Sequence, residues 1–439
     1  MPRFSPLAKK SLRLFALVAA TLLITSCGIT ADNAPLDTLG DDLAGPEAQA
    51  IGAFMRWVLW IAYAVFIAVL GVTFYAWKNF RIKGDEYEEG DWPEQIHGNT
   101  TLELLWTAAP LVLLIVIGFF TLGLHQDLNS DQEDAFNVLV EGANVTWDPQ
   151  IVVVGQQWWW EYQYHFGDVD IDQERVETLP TPDITTATQM VVPVGVEIEL
   201  EITSRDVIHS HWIPSLNGKR DAVPGRQSAP WKIQADEPGV YFGQCTEFCG
   251  LSHSRMRMQV VALEEAEFNE WVSLQMQGVS LDDATAAFVD ELVSGEVPTP
   301  VTGAERGVAT FRSKCASCHL MEGIADDLWS EEGVAEVLVS GAAPNLTHFA
   351  SRTTFAGGIR NVYDPATGEF NQNDLRAWLN NPADIKANAA GPVSEEDTRG
   401  RGMPALGLST QEIDDLVALL ESAGTRPSDF IIQETGIEG

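Results

Sequence analysis

Two long apolar runs, roughly Ala53 to Trp77 and Leu104 to Leu124, constrain this chain more than any other feature. Each reaches the length of about 20 residues that an α-helix needs to cross a bilayer. Inside lipid only a helix or a closed barrel satisfies its own backbone, so the runs predict a two-helix transmembrane hairpin over residues 51–126. Lys78, Arg81 and Lys83 follow the first run, and the positive-inside rule puts that connection in the cytoplasm. Both remaining ends then face outward. Trp57, Trp60, Tyr75, Trp77 and Trp106 suit aromatic belts at the lipid boundary. Core helices of a soluble protein are the alternative, and the length of the runs disfavours them.

The stretch before the hairpin agrees with export. Arg3, Lys9, Lys10 and Arg13 form a basic start, and Leu14 to Ile24 is a short apolar run. Small residues precede Cys27, as at a bacterial lipoprotein cleavage site. Residues 1–26 are therefore read as a lipoprotein-type signal peptide, with an ordinary signal or an uncleaved anchor as the alternative. Residues 27–50 form a polar lead-in. A chain of 439 residues is too long for one core and implies two or three domains. Its formal charge of −37 repels phosphate and excludes a nucleic-acid partner. The same charge would steer a basic electron carrier, or would serve solubility or a salty medium.

Beyond the hairpin, one short loop gathers unusual ligands. Cys245, Cys249, His253 and Met256 are spaced so that all can point inward, and His209 lies upstream where a strand could end beside them. Soft sulfur with imidazole selects copper or zinc. A thioether suits zinc poorly, so Met256 tilts the choice to copper. A disulfide between Cys245 and Cys249 is the competing reading, but it leaves both imidazoles and Met256 unexplained.

This constellation resembles the binuclear copper centre, CuA, of cytochrome c oxidase subunit II. The resemblance implies Cys245 and Cys249 as bridging thiolates, His209 and His253 as terminal ligands, Met256 as a weak ligand and the Glu247 carbonyl as the last. Met258 and His211 are rivals for the Met and His roles. Segments such as 151–154, 190–192, 196–202 and 259–262 fit short strands of a sandwich. Val196 to Ile202 alternates with period two, which predicts one buried and one wet face. The resemblance makes the domain, 136–275, an all-β cupredoxin sandwich ending in a helix over Glu265 to Gln275.

The resemblance assigns further roles. Trp158 opens a run of five aromatics ending at Tyr164 and takes the place of the Trp that passes electrons near the copper. Gln156 and Trp159 stand where the family often has His and Tyr. Glu103, at the cytoplasmic start of the second span, matches an acid at the entrance of a proton path into subunit I. A plain interface anchor is its other reading. Asp221 and Arg226 match the contact with subunit I, and the Glu247 side chain would ligate a magnesium ion shared with that subunit.

Residues 276–301 are acidic, end in Pro298 and Pro300, and read as a linker. Thr302 and Glu305 then form a possible capping box. Cys315, Cys318 and His319 make a Cys-x-x-Cys-His motif, which reads as covalent haem c attachment. A thioredoxin-like redox pair is the alternative, disfavoured by the trailing His and the absence of a βαβ pattern. Met403, on a separate loop, is the expected sixth ligand, with His348 as competitor. Met321 is too close in sequence to the proximal His319 to reach the opposite face. A further helix, capped by Ser409 and Glu412, presents Ile413, Leu416, Val417 and Leu420 on one stripe. Residues 302–425 resemble an all-α class I cytochrome c domain, of the kind fused to subunit II in caa-type oxidases. Residues 426–439 read as a tail.

Taken together, the resemblance implies a multi-domain electron-entry subunit of a proton-translocating terminal oxidase in the bacterial plasma membrane. Its copper and haem domains lie on the outer side. Haem c would pass electrons to CuA and on to subunit I, where oxygen is reduced to water. The implied partners are oxidase subunits I and III, membrane lipid, and an external donor: a cytochrome c, an iron–sulfur protein or a respiratory complex. The alternatives are a subunit of a CuA-containing nitric oxide reductase and a non-enzymatic electron-transfer lipoprotein.

Overall fold

The computed structural model describes residues 43–80, 97–128, 136–140, 143–147, 149–166, 182–226, 231–325, 343–388 and 401–435. The signal segment with Cys27, the cationic residues Arg81 and Lys83, and most of the acidic loop between Lys386 and Met403 lie outside the described residues. The chain divides into two units, one holding most of the apolar hairpin and the other residues 40–51 with everything from 126 on.

The hairpin consists of helices α1 (Pro46–Asn79) and α2 (Thr100–Leu128). Their most apolar windows have mean hydropathies of 2.2 and 2.3, and none of either window is buried. Trp57 is 72 % exposed and Phe119 75 %. So large an apolar surface is untenable in water and is what a hydrocarbon core requires. Asn99 starts α2 by accepting from the Leu102 amide at 3.1 Å.

The larger unit begins with the hairpin of β1 (Phe136–Val140) and β2 (Ala143–Trp147). The following strands are β3 (Gln150–Gln156), β4 (Trp159–Tyr164), β5 (Ile184–Ala187), β6 (Gln189–Pro193), β7 (Ile198–Ser204), β8 (His209–Trp212), β9 (Lys219–Ala222), β10 (Trp231–Ile233), β11 (Gly239–Gln244) and β12 (Arg257–Leu263). One sheet runs β10-β7-β3-β4-β5 and the facing sheet β11-β12-β6, with β8 and β9 paired as a separate hairpin. Ile151, Trp160, Tyr162, Leu200, Ile202 and Val260 are fully buried in the core. Each such side chain contributes about 1.5–3 kcal/mol by leaving water.

The alternation in β7 does not give a wet face. The whole strand is buried, Glu199 and Glu201 included. β7 is interior to its sheet, flanked by β10 and β3, and the β8–β9 hairpin packs on it and brings Arg220 into the field of Glu201. A charged layer therefore lies beneath a second one, which a binary apolar pattern does not reveal.

Helix α3 (Glu265–Gln275) closes the sandwich, with Phe268 stacked 5.9 Å from Trp147. The expected linker is not open chain throughout. It contains α4 (Asp283–Val293), capped by Asp282, which accepts from the Ala284 and Thr285 amides at 3.0 Å. Its acidic residues Asp290 and Glu291 face solvent, while Phe288 and Val289 enter the second core.

That second core is helical. Helix α5 (Gly303–Lys314) is followed by α6 (Gln372–Asn380), α7 (Pro382–Ile385), α8 (Thr410–Ser422) and α9 (Asp429–Glu434). Capping boxes form at Thr302/Glu305 and Ser409/Glu412, each cap contributing about 1 kcal/mol. α5 crosses α8 closely at Gly307, where a Cβ would meet the Asp415 carbonyl and come within 2.8 Å of the Leu419 Cβ. Arg306 forks onto the Asp415 carboxylate beside this crossing, with nitrogens at 2.8 and 3.0 Å. The stretch read as a tail holds α9, whose Ile431 packs in the sandwich core and Ile432 in the helical one.

Candidate metal and haem centres

The loop from Cys245 to Met256 is pinched at its base by antiparallel strands β11 and β12, where Gln244 faces Arg257. The Cys245 amide donates to the Met256 carbonyl at 2.9 Å, so the first and last ligand candidates are drawn inward together. β8 approaches from the side, with the Thr246 amide donating to the Ser210 carbonyl at 3.1 Å. This delivers His209, fully buried, to the two buried cysteines.

The donor atoms converge in two matched halves. Cys245 and Cys249 face each other with sulfurs 3.8 Å apart. A disulfide needs about 2.05 Å, and both thiols are free. His209 Nδ1 lies 3.9 Å from Cys245, and His253 Nδ1 lies 3.5 Å from Cys249. The Met256 sulfur is 3.8 Å from Cys249, and the Glu247 carbonyl is 3.3 Å from Cys245. The ligand atoms of His209, Cys245 and Cys249 all fall within 4.8 Å of one another. Two facing sulfurs, each flanked by one imidazole and one weak donor, fit a bridged copper pair.

The two sulfurs sit in unlike surroundings. Cys249 and the neighbouring His209 hold the Cys245 thiol well below its ordinary range, while the Cys245 sulfur and burial push Cys249 up. Burial alone would lower His209, but the Asp206 carboxylate and the Cys245 sulfur outweigh it and raise the imidazole.

Asp206, which the sequence does not single out, is the positioning group of the site. Its Oδ1 accepts from His209 Nε2 at 2.8 Å and from the Val207 amide at 2.7 Å. Its Oδ2 accepts from the Gln157 amide at 2.7 Å. A carboxylate on the far nitrogen fixes the tautomer and the aim of a ligating imidazole. The Cys249 carbonyl is held likewise, by Gln157 Nε2 at 2.6 Å and Trp158 Nε1 at 3.0 Å. Trp158 is therefore buried one hydrogen bond from a ligand backbone.

Other expected residues lie elsewhere. His211 is buried with its Nε2 3.3 Å from the Tyr162 hydroxyl, and burial pulls it down to about 3. Met258, buried in β12, faces Gly243 across the ladder. The Glu247 side chain is exposed, as are Asp221 on β9 and Arg226 on the turn after it. Glu103 lies in the first turn of α2, exposed, in the separate unit. There a carboxylate also suits the helix dipole.

At the haem motif, α5 ends at Cys315, and the His319 amide donates to the Cys315 carbonyl at 2.9 Å. Cys315 and Cys318 are both free thiols. His319 Nδ1 lies 2.8 Å from the Pro344 carbonyl, which leaves Nε2 for iron, and burial lowers its pKa. Leu346, Met403, Leu406 and Leu408 are half-buried against the helical core, an apolar lining of the kind a porphyrin needs. These residues fit haem c. His348 directs Nε2 to the Gln275 carbonyl at 3.1 Å, whereas Met321 is fully buried in the core.

The two halves of the larger unit meet at the metal loop. Lys386 Nζ donates to the carbonyls of Trp158 at 2.5 Å and Ala356 at 2.9 Å. Arg255 donates to the Ile385 carbonyl and Ser252 to that of Ala387. Gln259 bonds both Gln189 and Thr353. Apart from Trp158, nothing in the sequence marked these residues, because partners far apart along the chain leave no local pattern.

Three families match the chain. These are the cytochrome c oxidase subunit II transmembrane domain over residues 37–124, its periplasmic domain over 150–263, and cytochrome c over 304–424. Cytochrome c oxidase subunit 2 of Alkalihalophilus pseudofirmus is 29 % identical over 421 residues, covering 94 % of this chain and 97 % of that protein. The Arabidopsis thaliana subunit 2 is 30 % identical over 248 residues, covering 54 % and 88 %. Among solved structures, the periplasmic domain of subunit II of cytochrome oxidase from Bradyrhizobium japonicum is 32 % identical. It covers 28 % of this chain and 91 % of that one, at a TM-score of 0.23.

Proposed function

The chain belongs to the cytochrome c oxidase subunit 2 family, and on that premise we propose how its own residues carry electrons into the oxidase. It is the electron-entry subunit of a haem–copper terminal oxidase, with a fused cytochrome c domain. It is a membrane protein whose copper and haem domains stand on the outer side. The observation that carries the residue assignment is the convergence of two facing cysteine sulfurs, 3.8 Å apart, with His209, His253, Met256 and the Glu247 carbonyl.

Cys245, Cys249, His209, His253, Met256 and the Glu247 carbonyl would hold the copper pair. When bound, the pair supplies one-electron chemistry with little ligand movement. Asp206 keeps His209 aimed, and Cys245, Cys249, Met256 and His209 are buried, so the protein holds the donor set in place. Cys315 and Cys318 would tether haem c through their sulfurs, and His319 and Met403 would be its iron ligands. Met/His ligation raises a haem potential, in keeping with the oxidising end of a respiratory chain. The bond from His348 to Gln275 supports Met403 over His348.

Further roles follow from the family. Trp158, bonded to the Cys249 carbonyl, passes electrons from the copper pair toward subunit I. The exposed side chains of Asp221 and Arg226 meet subunit I, and the Glu247 carboxylate shares a magnesium ion with it. Glu103 opens a proton path that serves proton translocation. Subunit III and membrane lipid complete the surroundings, and a cytochrome c, an iron–sulfur protein or a respiratory complex feeds haem c.

Metal analysis and spectroscopy of the purified chain test the assignment. Two coppers per chain are expected, and Cys249→Ser is expected to abolish the binuclear signal. A single copper, or an unaltered signal in the variant, refutes it. Met403→His is expected to lower the haem c potential, read by redox titration, and an unaltered potential reassigns the ligand to His348.

A further inference from the structure

Each residue from Ile385 to Asn388 bonds to something that matters for one of the two centres. The Ile385 carbonyl accepts from Arg255, two residues past the ligand His253. Lys386 reaches the Trp158 carbonyl at 2.5 Å, and the same Trp158 donates to the Cys249 carbonyl at 3.0 Å. The Ala387 carbonyl accepts from Ser252, just before His253. Asn388 Nδ2 donates to the Met403 carbonyl at 2.8 Å. The backbone beneath is shaped for this approach. Gly357 sits at φ +74°, where a Cβ would collide with both Lys386 Nζ and the Trp158 carbonyl. The Gly357 carbonyl in turn accepts from the Arg257 amide at 3.0 Å.

We propose that Ile385–Asn388 is a positioning strut that fixes the Met403 loop of the haem domain onto the copper-ligand loop, with Lys386 as its anchor. The proposal rests on the functional reading above. The junction has other bonds, such as Gln259 to Thr353, but those of Ile385–Asn388 fall on the residues flanking His253, on the Trp bonded to Cys249, and on Met403 itself. Lys386 is 5 % exposed and commits its ammonium to two carbonyls. Deleting it strands both acceptors in a buried place. The strut adds no chemistry of its own: the one electron lost by the haem is the one gained by the copper pair, and no proton or bond moves. It sets the separation at which that transfer occurs, and a misplacement on the order of 1 Å is enough to cost a reaction step heavily.

The test uses the complete, detergent-solubilised oxidase with Lys386→Met, which keeps the aliphatic stem and removes the donor. Haem c is reduced by an added photoactivated electron donor on a light pulse, and copper reduction is followed optically. The expected result is a fall of roughly tenfold or more in the internal transfer rate, with haem and copper spectra unchanged. A second readout needs no electron transfer. Amide exchange in the copper-free chain is expected to quicken at 353–358 and 385–388. Gly357→Ala, which displaces the ammonium without removing it, is expected to act alike, and the double variant to be no worse than either single one. An unchanged rate, unchanged exchange, or additive losses in the double variant overturn the proposal. Should Lys386→Met fail to assemble, Asn388→Ala takes its place in both measurements: a slower transfer and quicker exchange support the strut, and no change in either overturns it. Wild-type oxidase whose reduced haem never reduces copper would refute the functional reading instead of the strut.

Discussion

Asp206 shows how much the proposed copper site depends on residues outside its ligand set. It aims His209 through a 2.8 Å bond and is itself held by the Gln157 and Val207 amides. Asp206→Asn preserves shape but removes the charge that orders the imidazole. The expected outcome is a loss of about 10- to 100-fold in copper affinity, measured by competition with a chelator, while both thiols remain titratable. Protons should compete for the same site. Because the environment raises His209, its protonated, non-ligating form persists to a higher pH than for a free imidazole. Copper uptake should therefore weaken as pH falls through that range, which metal titrations at several pH values would reveal. The ligand loop itself was legible in the sequence, since Cys245, Cys249, His253 and Met256 lie within one turn of chain. Lys386 was not, because a buried lysine in a loop reads as a solvated one until its distant carbonyl partners are known.

Secondary-structure elements were legible wherever a local signal and a burial pattern agreed. The capping boxes at Thr302 and Ser409 start helices, and the stripe from Ile413 to Leu420 is buried. Reading failed where composition masked pattern. The acidity of 276–301 suggested solvated chain, yet α4 hides Phe288 and Val289 beneath its charges. The alternation of β7 suggested a wet face, yet a second charged layer covers it. The tail reading of 426–439 misses α9, whose worth lies in what it joins. Ile431→Ala deletes a side chain that is 5 % exposed in the sandwich core. It is expected to cost about 2–5 kcal/mol, and denaturant unfolding should show the sandwich losing stability before the helical domain does. Equal shifts in both domains would argue against that placement.

Across the whole molecule, a charge of −37 sets the terms on which any donor arrives. Attraction between this surface and a basic carrier is long-ranged and falls within a Debye length of about 8 Å at physiological ionic strength. Reduction of haem c by a basic external donor should slow steeply as salt is added in stopped-flow measurements. A flat response would assign the acidity to solubility instead. The fold-level architecture, two spans followed by a sandwich and a helical domain, was readable from hydropathy and motifs. How the last two domains join was not, since that is written in pairs such as Ser252 with Ala387 and Gln259 with Thr353. α9 adds a matter of timing to that junction. It follows both domains along the chain, yet places Ile431 in one core and Ile432 in the other. During synthesis, then, the sandwich and the haem-binding helices emerge from the ribosome before the segment that seals them together.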